Sequence, residues 1–310
     1  MAIQPFNPPL IVHHMGALDG SGAPPNSLEA MRASLDANAD YVEIDVNALA
    51  ADDFLTMHGP DMTDETISTG VPSDYTVAQA RNVVFKPHNG ASNVRVPLLS
   101  EVVQLFSEHP ARSQLQIDFK NVMPMRDDEI LRRLIRLIEP LGSRVIVSTG
   151  SDWHLRSLRK LAPNLRLGFD IHFYIDWRKD DYVPDPDPMQ NPPPYRKGAY
   201  GYWDDHMLAQ APLVTTKAYL DDRMEALAVM VPGIEVAYLD YHFILQALAD
   251  GSNVVEILHQ ANVRCDAWTL DIRSDAQKEA AHQLKHIGVD QFTSNTPLAL
   301  RETLGLSAKA

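Results

Sequence analysis

A closed (β/α)₈ barrel of the TIM type is the fold this sequence predicts. Eight short apolar or β-branched segments begin near residues 11, 41, 115, 144, 165, 234, 263 and 289, and helical or loop material follows each one. Eight alternating units in 310 residues suit a barrel better than an open doubly wound sheet. No Gly-x-Gly-x-x-Gly or P-loop pattern follows any of the eight strands, which speaks against a nucleotide-binding sheet.

Taken in order, Leu10 to His14 is an apolar run ending in two histidines and reads as the first strand. After the turn-rich LDGSGAPP, Asn26 can cap a helix with Glu29 three residues on, and Leu28, Met31 and Leu35 form its apolar stripe. Tyr41 opens the second strand. Residues 59 to 114 are a long excursion holding a helix from Leu99 to Phe106, and Leu115 to Lys120 is the third strand. A helix from Asp127 to Ile138 carries acids in its first turn and stops at Pro140 and Gly142. The strand Arg144–Thr149, the helix Asp152–Leu161 and the strand Leu165–Asp170 follow. Ile234–Tyr241, Ser252–Gln260, Val263–Thr269, Ser274–Ile287 and Val289–Ser294 then alternate strand and helix, and a closing helix begins at Pro297. Residues 171 to 233, between the fifth and sixth strands, hold the aromatic and proline-rich run YVPDPDPMQNPPPYRKGAYGYW, which reads as a cap inserted into a single catalytic domain spanning 1–310.

Composition narrows the function classes. The net charge of −14 argues against a nucleic-acid surface or a polybasic membrane anchor. A lone cysteine, Cys265, rules out an intrachain disulfide and a cysteine metal cluster. The first residues show no signal-peptide pattern and no apolar run approaches the ~18 residues of a membrane span, so a cytoplasmic protein without a transmembrane segment is expected. Residues 1 to 60 contain eight carboxylates against Arg32 alone, so a site there needs a bound cation before it can accept an anionic substrate.

That site centres on Tyr41 to His58, YVEIDVNALAADDFLTMH. Period two on a strand puts Tyr41, Glu43 and Asp45 on one face and Val42, Ile44 and Val46 on the other. Adjacent carboxylates repel unless a cation or salt-bridge partners intervene. Barrel strands offer their C-terminal ends to the mouth, where the sequence places His14, Glu43 and Asp45, Asp118 and Lys120, Thr149, Asp240, Trp268, and Ser294 and Asn295. Three carboxylates suit one hard divalent cation, Mg²⁺ or Ca²⁺, better than zinc.

These motifs resemble the glycerophosphodiester phosphodiesterase family, of the PLC-like phosphodiesterase barrels. Its His-Arg-Gly is matched by His14-Met15-Gly16, its Pro-Glu-Asn-Thr by Pro24-Pro25-Asn26-Ser27, and its Glu-x-Asp-Val by Glu43-Ile44-Asp45-Val46. His58 lies thirteen residues beyond Asp45, as the family's His-Asp does. Asp118-Phe119-Lys120 looks like the family's Glu-x-Lys, Trp268-Thr269-Leu270-Asp271 like Trp-Thr-Val-Asn, and Ser294-Asn295-Thr296-Pro297 like Thr-Asp-x-Pro. The resemblance implies metal binding by Glu43, Asp45 and Asp118, acid and base roles for His14 and His58, phosphate contact by Lys120 and a pocket wall at Trp268. It implies hydrolysis of a small-molecule glycerophosphodiester to an alcohol and glycerol phosphate. Met15 and Pro25 replace an arginine and a glutamate of the pattern. His-Met and Asp-x-Lys are similar instead to spider-venom phospholipase D, or sphingomyelinase D, so a lyase releasing a cyclic phosphate from a lysophospholipid or sphingolipid is the alternative. A non-catalytic phosphodiester-binding barrel is the remaining one. The sequence leaves the oligomeric state open.

Overall fold

The computed structural model describes residues 3–90, 93–123, 125–177 and 215–307. Eight parallel strands close into a barrel: β1 (Leu10–His13), β2 (Tyr41–Ala48), β4 (Gln114–Phe119), β5 (Val145–Thr149), β6 (Arg166–Asp170), β7 (Val236–Asp240), β8 (Arg264–Trp268) and β9 (Gln291–Ser294). Closure comes from β1, which pairs with β2 on one side and β9 on the other. A two-residue strand, β3 (Phe54–Leu55), pairs antiparallel with the end of β2 and carries the chain toward His58.

The strands form for the reason read from the sequence. Val42, Ile44 and Val46 are fully buried in the large core between barrel and helices, together with Met31 and Leu35 of α1 (Leu28–Asp36). Their alternates point inward, and Tyr41 packs in the barrel with Val12, Ile146, Val236 and Tyr238. Helices α2 (Met62–Glu65), α3 (Val77–Ala80) and α4 (Leu99–Glu108) belong to the excursion between the second and third barrel strands. A separate apolar cluster that includes Leu55, Met57, Met62, Phe85 and Leu98 fastens this excursion to the rim. The remaining helices are α5 (Glu129–Ile138), α6 (Asp152–Leu161), α7 (Thr216–Met230), α8 (Tyr241–Ala249), α9 (Val254–Gln260), α10 (Asp275–His286) and α11 (Pro297–Thr303).

Several expectations are corrected. Ser27, not Asn26, caps α1: its hydroxyl accepts from Ala30 N at 3.1 Å, while Asn26, at φ 61°, turns toward β2. Helices α7 and α8 lie in stretches with no helical reading. The aromatic and proline-rich run, residues 182–203 of the insertion 171–233 read as a cap, lies wholly outside the described residues. Among the described residues no helix is long and apolar enough to cross a membrane.

Candidate active site

Strand register builds the acid cluster. β2 pairs with β4 so that Asp45 stands beside Asp118 and Glu43 beside Gln116. One oxygen from each of Glu43, Asp45 and Asp118 lies within 4.8 Å of the others. The Lys120 ammonium is 2.9 Å from Asp45 Oδ1 and 2.5 Å from Asp118 Oδ2. Burial alone would lower the lysine pKa, but Asp118 and Asp45 outweigh it and hold the ammonium well above its usual range. Burial, with the charges of Asp45 and Asp118 added, pushes Glu43 well above the ordinary carboxylate range. Asp45 goes the other way, since Lys120 and both histidines overcome its burial and hold it low.

With all three carboxylates ionised, the site carries two negative charges beyond the lysine, and the mutual repulsion that adds to burial in raising Glu43 is what a bound cation would relieve. That charge is the complement of one divalent cation, and an all-oxygen donor set suits Mg²⁺ or Ca²⁺. The residues present therefore fit a metal ion. Asn26 braces the cluster from the α1 side: its Nδ2 donates to Asp45 Oδ2 at 2.9 Å, and its Oδ1 accepts from Asp45 N at 3.1 Å.

His14 follows β1 in a tight turn that Gly16 makes possible. Gly16 has φ +69°, and a Cβ there would stand 3.0 Å from Met31 N, so any other residue would collide with α1. The same turn presents Met15 N to Glu43 Oε2 at 2.8 Å. His14 Nδ1 is 2.9 Å from Asn295 Oδ1, and Asn295 Nδ2 donates to Asp271 Oδ2 at 3.2 Å. With the amide oriented by Asp271, Asn295 Oδ1 must accept, so His14 Nδ1 carries the hydrogen. In the neutral ring Nε2 is then unprotonated, 3.9 Å from Glu43 Oε2. Burial lowers the His14 pKa, against Asp45 and Asn295, which raise it. His13 is turned away, with Nδ1 2.9 Å from Ser34 Oγ on α1.

His58 arrives from the other side, on the loop after β3. Asn47 Nδ2 holds that loop through Met57 O at 2.8 Å and Gly59 O at 3.3 Å. The Glu65 carboxylate of α2 accepts from Gly59 N at 2.5 Å and from His58 N at 3.3 Å.

These groups line one cavity of about 510 Å³, whose walls include His14, Glu43, His58, Asp118, Lys120 and Trp268. Asp45 lies behind that wall, 1 % exposed, and reaches the cavity through Lys120. Three residues expected at the mouth do not face it. Alternation puts Ser148 beside Asp118 and on the wall, while Thr149 is buried and accepts from Ser151 N. Likewise Thr293 faces in, whereas the Ser294 hydroxyl is within 3.4 Å of Asp271. Asp240 caps α8, accepting from His242 N at 2.7 Å. Thr149 and Ser294, the last residues of β5 and β9, are one step out of phase with the inward face, whereas Asp240 shares the inward phase of Val236 and Tyr238 and is drawn aside to cap α8.

Sequence reasoning missed Asp170 and His172 on the same wall. Burial pushes Asp170 up to about 6, and its Oδ1 accepts from His172 N at 3.1 Å. His172 meets Trp268 edge-on, ring centres 5.3 Å apart. Asp170 was findable, since it ends a strand already recognised in the sequence.

A parallel barrel that gathers three carboxylates, a lysine and two histidines at its strand ends and adjoining loops offers a cation site beside acid and base groups. The chain belongs to the glycerophosphoryl diester phosphodiesterase family, whose sequence profile matches residues 19–299. A glycerophosphodiester phosphodiesterase of Caldanaerobacter subterraneus subsp. tengcongensis is 25% identical over 163 residues, covering 51% of this chain and 65% of that protein. A second such enzyme, from Arabidopsis thaliana, is 25% identical over 171 residues, covering 53% of this chain and 50% of its own length. The chain thus spans between half and two thirds of these relatives. Among solved structures, a glycerophosphoryl diester phosphodiesterase from Parabacteroides distasonis superposes with TM-score 0.61 at 20% identity, covering 97% of this chain and 88% of that one. An Oleispira antarctica phosphodiesterase in complex with the product sn-glycerol-3-phosphate gives TM-score 0.62 at 16% identity, covering 96% and 97%. At these identities the structures establish the shared fold.

Proposed function

We propose that this protein is a metal-dependent phosphodiesterase that hydrolyses a glycerophosphodiester to an alcohol and glycerol phosphate. The observation that carries the reading is the convergence of Glu43, Asp45, Asp118 and Lys120 with His14 and His58 around one cavity. Glu43, Asp45 and Asp118 would hold a divalent cation, Mg²⁺ or Ca²⁺, which when bound neutralises charge on a non-bridging phosphate oxygen. Lys120 has three N–H donors and uses two on Asp45 and Asp118, so one remains for a substrate oxygen.

His14 is the base. Its Nδ1–H is committed to Asn295, leaving Nε2 to take the proton of the attacking hydroxyl or water as that oxygen bonds phosphorus. His58, on the same cavity, gives a proton to the departing alkoxide as its bond to phosphorus breaks, and where a substrate hydroxyl has attacked, water then opens the cyclic phosphate to glycerol phosphate. Trp268, held edge-on by His172, forms a flat wall against the substrate's glycerol or ester portion.

Phosphorus NMR tests this directly. Glycerophosphocholine incubated with the protein and Mg²⁺ or Ca²⁺ is expected to give glycerol phosphate, and a chelator to stop the reaction. A cyclic phosphate that accumulates would replace hydrolysis with a lyase outcome. No turnover with either ion would remove the reading.

A further inference from the structure

A second cavity, of about 440 Å³, lies on the other side of His58, which is in the walls of both. Its walls are mainly apolar and include Met15, Pro24, Pro25, Phe85 and Pro87. Met15 directly follows His14, and of the two histidines His58 is the one that lines both cavities. We propose that this second cavity is the subsite for the departing alcohol, and that it selects an uncharged alcohol with an apolar body.

The assignment deepens the function just proposed and rests on it. A phosphodiester has two substituents, and with phosphorus beside the acid cluster they must leave in different directions. The alcohol that departs has its oxygen next to the group that protonates it. His58 is that group, and it forms the partition, so the carbon body of the leaving alcohol extends beyond it into the second cavity.

The chemistry of the walls sets the class. Several polar groups of that cavity are engaged within the chain. Glu65 takes the N–H groups of His58 and Gly59, Lys86 Nζ donates to Asp64 O at 3.1 Å, and His88 Nε2 lies 2.9 Å from Asn89 Nδ2. Apart from the exposed Lys86 ammonium and Asp64 carboxylate, what remains for a ligand is a thioether, three proline rings and a phenyl face. Apolar area removed from water there stabilises a hydrocarbon and gives nothing to a quaternary ammonium, which needs an aromatic cage or a carboxylate. The carboxylate of Asp64 is the one exposed acid at the rim, and it makes the choline diester the critical competitor.

The test compares two diesters that differ in the leaving alcohol alone: glycerol phosphate esterified to hexanol, and glycerophosphocholine. The hexyl diester is expected to show kcat/KM higher by about tenfold, the equivalent of roughly two buried methylene groups. That ratio should fall at least fivefold (~5) in Met15→Gln, which keeps side-chain length but replaces the thioether by an amide. Phe85→Ala is the second variant, with its folding checked by circular dichroism. Turnover of both diesters at equal rates, or faster turnover of the choline diester, would overturn the subsite while leaving the phosphodiesterase reading in place. A hexyl preference that both variants retain would also overturn it, because selectivity would then reside elsewhere. Turnover of neither diester would remove the function and the subsite together.

Discussion

Asp45 and Asp266 are both carboxylates buried on barrel strands, and their surroundings push them in opposite directions. Asp45 has the Lys120 ammonium at 2.9 Å and the Asn26 amide at 2.9 Å, and it is held below the ordinary carboxylate range despite its burial. Asp266 has the Thr293 hydroxyl, at 2.9 and 3.0 Å, and burial drives it up to about 7. One site is built to keep negative charge, the other to lose it. A barrel interior is therefore not uniformly hostile to anions: Lys120, the two histidines and the Asn26 amide together keep Asp45 low, where Asp266 has a hydroxyl alone.

The largest effect that tests this contrast is on catalysis. Asp45→Asn removes a charge that the site is arranged to preserve, and kcat is expected to fall by three orders of magnitude or more (~10³), as for loss of a principal electrostatic group. The amide keeps one acceptor for either Lys120 or Asn26 and sets its NH2 against the other donor, so a modest fall in melting temperature is expected beside the much larger loss of kcat. Retention of more than about a tenth of wild-type kcat would sink the metal-ligand assignment of Asp45.

Asp266→Asn should act on stability instead. A carboxyl whose folded-state pKa lies above its unfolded value binds a proton more readily when folded. Its penalty is therefore absent below about pH 4, grows as pH rises, and is complete above about 7. The neutral amide avoids that penalty. The variant should match wild type in urea unfolding near pH 3.5 and exceed it by up to ~4 kcal/mol at pH 8, at 1.36 kcal/mol per pH unit. A difference that is the same at both pH values would mean that Asp266 is ionised throughout, and the contrast with Asp45 would collapse.

How much of this was legible in the sequence follows from the same physics. The eight barrel strands were readable because period two separates Val42, Ile44 and Val46 from Glu43 and Asp45, and because the helices between them carry apolar stripes. The places of Glu43, Asp45, Asp118, Lys120, His14 and Trp268 were readable because strand ends define the mouth, while that of His58 was readable from its spacing of thirteen residues beyond Asp45 in the family resemblance. Phase was not readable: whether Ser148 or Thr149, Thr293 or Ser294 faces inward depends on where a strand joins the barrel register, which neighbouring strands set. Nor was the brace from Asn26 to Asp45, which spans nineteen residues and competes with a plausible cap. Helix α8 was hidden because it begins at Tyr241, immediately after β7 ends at Asp240, with no turn residues between.

A smaller effect concerns the base. Asn295→Ala deletes the acceptor that fixes the His14 tautomer, and kcat is expected to drop roughly tenfold to a hundredfold with KM little changed, as for partners that orient a functional histidine. The bond from Asn295 raises the His14 pKa, so its loss should move the acid limb of the kcat profile to lower pH. A limb that moves to higher pH would show that Asn295 does not stabilise the charged ring.

The smallest expected effect lies at the partition between the two cavities. Glu65 receives the N–H groups of Gly59 and His58, so it holds the backbone that carries the proposed acid rather than touching substrate. Gly59 is part of the same arrangement, because a Cβ there would stand 3.1 Å from Asp64 Oδ2 and 3.3 Å from Glu65 Oε1. Glu65→Gln keeps the shape but replaces charge-assisted bonds by neutral ones, one of whose acceptors becomes a donor facing an N–H. The loop should loosen and kcat fall about tenfold, some 1.4 kcal/mol of barrier. Because the defect is in positioning a proton donor, it should shrink with a leaving alcohol of low pKa, such as p-nitrophenol, that departs without protonation. Equal losses with hexanol and p-nitrophenol as leaving groups would place Glu65 in loop stability alone and detach it from His58.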